Sequence, residues 1–113
     1  MHEMSIAQSI INLALEEAGR AGLDRVAQVR LKIGRMSGVV PDSLAFCWEL
    51  MTGEGPIQGA ELVMEEIPVQ ALCQECEEGF QVEEYDFTCP SCGSERTKIV
   101  AGRELTLSAI AGE

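Results

Sequence analysis

Four of the five cysteines lie in two close pairs that could bind one metal ion together. Two residues separate Cys73 from Cys76 and Cys89 from Cys92, and twelve residues separate the two pairs. A two-residue spacer lets both sulfurs of a pair face the same ion, so four thiolates can form a tetrahedral zinc site. Such a site has no open coordination position, and we therefore expect structural zinc. Iron in the same cage and a redox-active dithiol are the alternatives, and the spacing does not distinguish zinc from iron.

The second candidate ligand is His2, the single histidine of the chain, which follows Met1 directly. The Met1 amine, the His2 amide nitrogen once deprotonated and the His2 imidazole Nδ1 can form fused chelate rings around one ion. The Glu3 amide, the Glu3 carboxylate, water or a partner could supply a fourth ligand. Planar nitrogen coordination suits Ni(II) or Cu(II), and a terminal chelate suits delivery better than catalysis. The alternative is a solvated terminal histidine without a role.

The length and composition of the chain limit its number of domains, its partners and its location. The 113 residues are enough for one domain that carries a small inserted module. Nineteen acidic against eight basic residues give a net charge of −11, which argues against nucleic acid as a partner. No apolar run approaches the roughly 18 residues of a membrane span, and we find neither a secretory signal nor a transit peptide. We therefore expect a cytoplasmic protein, where paired thiols bind metal rather than form disulfides.

The residues before the first glycines have the pattern of an amphipathic helix. Apolar residues recur at helical spacing from Ser5 to Ala18, which predicts a helix over that segment. Ser5 followed by Gln8 fits a capping box, and Gly19 and Gly22 are the predicted stop signals. Residues 1–4 would then precede the helix.

A strand and a second helix are predicted next. Val26 to Gly34 alternates apolar and polar residues, which is typical of a strand with one buried face. Apolar residues at helical spacing, including Leu44 and Trp48, predict a helix that begins near Pro41 and ends before Gly53. Cys47 lies on this apolar stripe, so we interpret it as an inert core thiol rather than a ligand.

Two further strands complete the predicted architecture. Glu61 to Val69 and the closing segment GRELTLSAI both read as strands. With the cysteine segment between them, the fold class is α+β: two helices packed on a three-stranded sheet, with an inserted four-cysteine, zinc-ribbon-like module. The predicted division is a discontinuous nickel-binding α/β domain, residues 1–70 and 99–113, and a zinc-binding domain, residues 71–98. Strand order does not follow from these patterns.

The opening MHEMS, the paired cysteines and the closing GRELTLSAI together resemble the HypA/HybF family of hydrogenase-maturation nickel metallochaperones. The resemblance covers nearly the whole chain. It implies that the Met1 amine, His2 and Glu3 capture Ni(II), and that the four paired cysteines hold structural Zn(II). It further implies that the protein is not an enzyme and that it carries nickel to the large-subunit precursor of a [NiFe]-hydrogenase.

The resemblance also implies partners: a HypB-type GTPase, the hydrogenase precursor and, in some organisms, urease maturation factors. The chain has no phosphate-binding GxxxxGK(S/T) motif, so GTP hydrolysis would belong to the partner. Two other functions compete with this one. A rubredoxin-like electron carrier would hold iron and be red, and a zinc-ribbon interaction adaptor would bind no nickel and be indifferent to replacement of His2.

Overall fold

The computed structural model describes residues 3–113. Within that range the elements follow in the order α1 (Glu3–Ala21), β1 (Val26–Gly34), α2 (Pro41–Met51), a 3-10 turn (Gly55–Ile57), β2 (Glu61–Ile67), β3 (Gln70–Cys73), β4 (Gly79–Gln81), β5 (Thr97–Ala101) and β6 (Leu105–Gly112). Two helices and two small sheets confirm the predicted α+β class. No helix within residues 3–113 has the length and apolar character that crossing a bilayer requires.

Helix α1 is longer at both ends than the sequence pattern predicts. It begins at Glu3, so the expectation that residues 3 and 4 precede the helix is wrong. An acidic residue in the first turn interacts favourably with the helix dipole, which stabilises this earlier start. Ser5 therefore lies inside the helix and is not the predicted N-cap residue. Its carbonyl accepts a hydrogen bond from the Ser9 hydroxyl at 3.0 Å.

The end of α1 is set by Gly22 rather than by Gly19. Gly22 has φ +72°, a left-handed conformation that side chains disfavour. The Leu23 N–H then donates to the Ala18 carbonyl at 2.8 Å, closing the last turn as in a Schellman motif. Gly19 is accommodated within the helix, at an energetic cost of about 1 kcal/mol relative to alanine.

The main sheet has the strand order β2-β1-β6, with β1 at its centre. Strand β1 runs parallel to β2 and antiparallel to β6. The parallel pair is joined through α2, which is the crossover that such a pair requires. Strand β1 spans the predicted residues, whereas β2 ends at Ile67 because Pro68 has no N–H to offer the ladder.

Both helices cover one face of the main sheet and enclose the larger core. The inward residues of β1 are at most 2% exposed, as the alternating pattern predicts. Their helical counterparts include Leu44 and Trp48, both buried. The Trp48 indole N–H donates to the Ala60 carbonyl at 2.8 Å, which satisfies its one buried polar group.

The second sheet has the order β4-β3-β5 and lies between β2 and β6 along the chain. It has a small core of its own, formed by Val69, Ala71 and Val82 with partly buried neighbours. One of these neighbours is Met36, from the segment after β1. The predicted domain boundaries at 70/71 and 98/99 stay predictions; β3 begins at Gln70 and β5 continues to Ala101.

Two glycines lie where the chain passes between the sheets. A Cβ on Gly34 would lie 2.1 Å from the Gly102 carbonyl oxygen, and one on Gly102 would lie 2.7 Å from the Val69 Cα. The backbones meet so closely that side chains are excluded at both positions. Hydrogen bonds hold the crossing together: the Gly34 N–H donates to the Glu104 carbonyl and the Met36 N–H to the Gly102 carbonyl, each at 2.7 Å.

Candidate metal centre

The four paired cysteines bring their sulfurs together at the tip of the second sheet. The Cys73 and Cys92 sulfurs are 3.5 Å apart, and the Cys76 and Cys89 sulfurs are 3.6 Å apart. All four lie within 4.8 Å of one another. The first cysteine of each pair is buried and the second is exposed, so the cluster is open to ion entry from one side.

The first pair is positioned by a tight turn at the end of β3. The Cys73 N–H donates to the Glu78 carbonyl at 2.9 Å, and the Glu77 N–H donates back to the Cys73 carbonyl at 3.0 Å. Glu77 has φ +63°, which a residue with a side chain adopts only at a cost of about 1–2 kcal/mol. The turn directs the Cys76 N–H towards the Cys73 sulfur, 3.5 Å away.

The second pair repeats the same turn. The Cys89 N–H donates to the Ser94 carbonyl and the Gly93 N–H donates to the Cys89 carbonyl, both at 2.9 Å. Gly93 has φ +75°, matching Glu77 in the first turn, and here glycine avoids the strain. The two turns therefore present their sulfur pairs to each other as two similar halves of one cage.

The sulfur positions fit a tetrahedral thiolate site. A zinc ion bound to four sulfurs at about 2.3 Å separates each pair of sulfurs by about 3.8 Å. The measured separations are close to this value and far above the approximately 2.0 Å of a disulfide. Four soft thiolates favour zinc or iron over hard cations, and the distances alone do not distinguish these two metals.

The thiols differ in proton affinity. A hydrogen bond from the Cys76 N–H lowers the pKa of Cys73 to about 7. The pKa of Cys76 is raised to about 12: the Glu78 N–H acts to lower it, but partial desolvation of the sulfur and the neighbouring thiols outweigh that bond. The pKa of Cys92 is also raised: the Ser94 N–H acts to lower it, but the neighbouring Cys73 thiol and partial desolvation of the sulfur outweigh that bond. Metal must displace these protons, so affinity should increase with pH.

Contacts beyond the sulfurs tie the two turns together, and the sequence patterns do not identify them. The Arg96 guanidinium pairs with the Glu75 carboxylate at 2.7 Å, and the Arg96 carbonyl accepts the Gln74 N–H at 2.8 Å. The Thr97 hydroxyl donates to the Phe87 carbonyl at 2.7 Å. The Cys-x2-Cys spacing indicates the turns, but no local signal pairs residues 21 positions apart.

The predicted nickel ligands are only partly within the described range. Met1 and His2 lie outside it. Glu3 is the first residue of α1, on the main body, and the cluster formed by the paired cysteines does not include it. Cys47 is half-buried against the larger core and is likewise no member of that cluster, which agrees with its interpretation as a core thiol.

Comparison with known proteins relates this chain to one protein family. The family model described as "Hydrogenase/urease nickel incorporation, metallochaperone, hypA" matches residues 1–112. A hydrogenase maturation factor HypA from Desulfatibacillum aliphaticivorans is 41% identical over 111 residues, covering 97% of this chain and 85% of the relative. One from Chloroflexus aurantiacus is 42% identical over 111 residues and covers 97% of both chains.

Two solved structures are similar over nearly their full lengths. The solution structure of the Ni metallochaperone HypA from Helicobacter pylori superposes with a TM-score of 0.70 at 26% identity, covering 97% of this chain and 96% of that one. A second solution structure, of a protein called HypA, has a TM-score of 0.76 at 25% identity and covers 100% and 97% of the two chains.

Proposed function

Since this chain belongs to the HypA family of hydrogenase/urease nickel-incorporation metallochaperones, we propose that it captures Ni(II) at its amino terminus and delivers the ion to the large-subunit precursor of a [NiFe]-hydrogenase. The family consists of maturation factors that handle a metal ion, not of enzymes. Nickel is the cargo in this proposal, and the four-cysteine cluster holds a resident Zn(II).

The observation that carries the nickel proposal is the donor set at the amino terminus. The Met1 amine, the His2 amide and the His2 imidazole are three nitrogens that favour Ni(II) over Zn(II). Glu3 offers a fourth donor through its amide or its carboxylate. As the first residue of α1, Glu3 has an N–H without an intrahelical partner, so using that nitrogen would break no helical hydrogen bond.

The geometry of the cysteine cluster supports a division of labour between two sites. Four thiolates close the coordination sphere of zinc and leave no exchangeable position. A carrier must release its cargo, so nickel belongs at the amino terminus, where water or a partner can replace one ligand. We place this delivery in the cytoplasm, together with a HypB-type GTPase that supplies the nucleotide chemistry and, in urease-containing cells, urease maturation factors.

The nickel site is tested by elemental analysis of untagged protein, before and after nickel addition and desalting. We expect stoichiometric zinc in both samples and stoichiometric nickel only after addition. His2→Ala should lose the nickel and keep the zinc and the far-ultraviolet circular dichroism spectrum. Gln8→Ala, an exposed change on the same helix, is the control and should keep both metals. Full nickel retention by His2→Ala would refute the site.

The zinc site is tested with Cys76→Ala. We expect loss of zinc and of dispersed NMR signals from the second sheet, because its small core cannot order that segment without the metal. Trp48 fluorescence should stay that of a buried indole, since it reports on the larger core. Cys47→Ala is the matched control and should keep its zinc. A folded, zinc-loaded Cys76→Ala protein would contradict the structural role, and a red, iron-containing wild type would favour the electron carrier.

A further inference from the structure

Strand β6 lies at an edge of the main sheet. It pairs with β1 on one side, and within residues 3–113 no strand pairs with its other side. Its eight residues, LTLSAIAG, include no charged residue and no proline. Proteins usually protect a long sheet edge with such residues, because its unpaired N–H and C=O groups can add a further strand. The pairing with β1 is regular from Leu105 to Leu107, and a bulge at Ser108 follows it. The edge before this bulge is therefore a candidate binding surface.

The pairing with β1 shows which backbone groups the edge offers. The Gly34 N–H donates to the Glu104 carbonyl, so Glu104 faces β1. Antiparallel ladders alternate, which turns the N–H and C=O groups of Leu105 and Leu107 away from β1 and towards the free side. An incoming extended chain would bond to these groups.

A groove runs alongside this edge, between β6 and α1. Its wall contains every residue from Leu105 to Ile110, so the backbone edge of the strand lines it rather than one face. Leu13 and Glu17 of α1 form the opposite wall, and the volume is about 400 Å³. A second hollow of about 250 Å³ shares Leu13, Leu105 and Leu107 with the first and continues along α1 to Ser5.

The charge of the groove indicates which kind of segment could bind there. Glu17 is its one charged lining residue among those described, and Arg20 partly neutralises that carboxylate. A second copy of this chain would also have a net charge of −11, so the two copies would repel each other. The groove therefore fits an extended segment that is apolar at alternate positions and neutral or basic overall, as strand addition requires.

The lining of the groove also comes close, along the chain, to the proposed nickel site. Among the residues that the structure describes, its lining reaches Ser5, three residues after His2. Resting on the proposed function, we propose that the free edge of β6 and its groove bind an extended segment of the nickel-accepting protein as a fourth strand of the main sheet. This docking brings the acceptor to the amino terminus that carries the ion.

The test uses the full-length, nickel-loaded protein and the hydrogenase large-subunit precursor as the probe. Leu13→Lys places a positive charge in the groove wall at a site that is 48% exposed, so the fold should tolerate it. We expect it to weaken binding of the precursor by about tenfold or more, or about 1.4 kcal/mol. Leu50→Lys on α2, 63% exposed and outside the groove, is the control and should bind within about twofold of wild type.

Amide hydrogen exchange in the wild type gives an independent measurement. The Leu105 and Leu107 amides should exchange rapidly in the free protein and slow by about tenfold or more with the precursor bound. Unchanged exchange at these amides, or equal binding by both lysine variants, would overturn the proposal. Protection that grows with protein concentration alone would do the same, by identifying a second copy as the occupant. Nickel loading of each variant is measured separately, so a failed nickel site is distinguishable from a failed docking surface.

Discussion

Replacing Gly34 with alanine should destabilise the protein strongly, although it adds only one methyl group. That methyl carbon would lie 2.1 Å from the Gly102 carbonyl oxygen and 2.2 Å from its carbonyl carbon. Both atoms belong to backbone, so no side chain can move aside to relieve the clash. The two chain segments must separate by more than about 1 Å to restore van der Waals contact.

The hydrogen bonds at the crossing set the size of the effect. Separation would strain the bonds from Gly34 to Glu104, from Arg35 to Ile67 and from Met36 to Gly102. At about 1 kcal/mol each, their loss would cost about 3 kcal/mol. Residual overpacking adds about 1–2 kcal/mol, giving a total of about 4–5 kcal/mol. That is a large share of the roughly 5–15 kcal/mol by which domains are stable.

Urea denaturation followed by Trp48 fluorescence measures this directly, because Trp48 is the single tryptophan and is 3% exposed. We expect a midpoint lower by about 2 M for a slope near 2 kcal/mol per M. Gly19→Ala is the matched control: its Cβ meets nothing within 4 Å, and alanine in a helix should stabilise by about 0.5–1 kcal/mol. A Gly34→Ala protein within about 0.5 kcal/mol of wild type would refute the steric argument.

Two further predictions concern the loops. The pKa of Glu104 is lowered, chiefly because backbone N–H groups of Glu104 itself and of Gly102 donate to the carboxylate. A carboxylate with a lowered pKa stabilises the fold at pH values above its unfolded-state pKa, and this stabilisation is lost as the pH falls through its folded-state pKa. Glu104→Gln should therefore lower the melting temperature at pH 7 but not near pH 3. An equal decrease at both pH values would contradict this prediction. Glu84 and Tyr85 have φ +50° and +61°, the conformation of a type I′ turn. Replacing them with Asn and Gly should raise the free energy of unfolding by about 1 kcal/mol, measured by thermal denaturation. An unchanged melting temperature would show that these two residues store no strain.

Sequence patterns predict the two helices and the three strands of the main sheet, where the periodicity is strong, but they do not indicate β3, β4 and β5 in the cysteine segment. The alternation in Val26 to Gly34 gave β1 its correct limits, because each inward residue meets the same buried layer. The capping-box pattern of Ser5 and Gln8 predicts a start of α1 two residues after the observed one, because the same residue types also occur in helix interiors. Helix ends depend on competition among weak local signals.

The cysteine cluster is also predictable from local sequence patterns only in part. Cys-x2-Cys spacing is a local property of the backbone, so it groups the two sulfurs of each pair. The two pairs are expected to share one ion because zinc takes four ligands, and the fold brings all four sulfurs within 4.8 Å of one another. The unequal pKa values of Cys73 and Cys76 could not be predicted in this way, since they depend on which backbone N–H meets which sulfur. The Arg96–Glu75 pair likewise joins the two turns across 21 positions.

The sequence alone determined the helices and the strands of the main sheet, the two Cys-x2-Cys pairs and the nitrogen donors offered by residues 1–3, because each depends on residues close together along the chain. Only the tertiary structure decided the strand order β2-β1-β6, the contact between Gly34 and Gly102 and the free edge of β6 beside α1. These features arise between segments distant in sequence. Which backbones meet is settled by the packing of the whole core, and no local pattern encodes it.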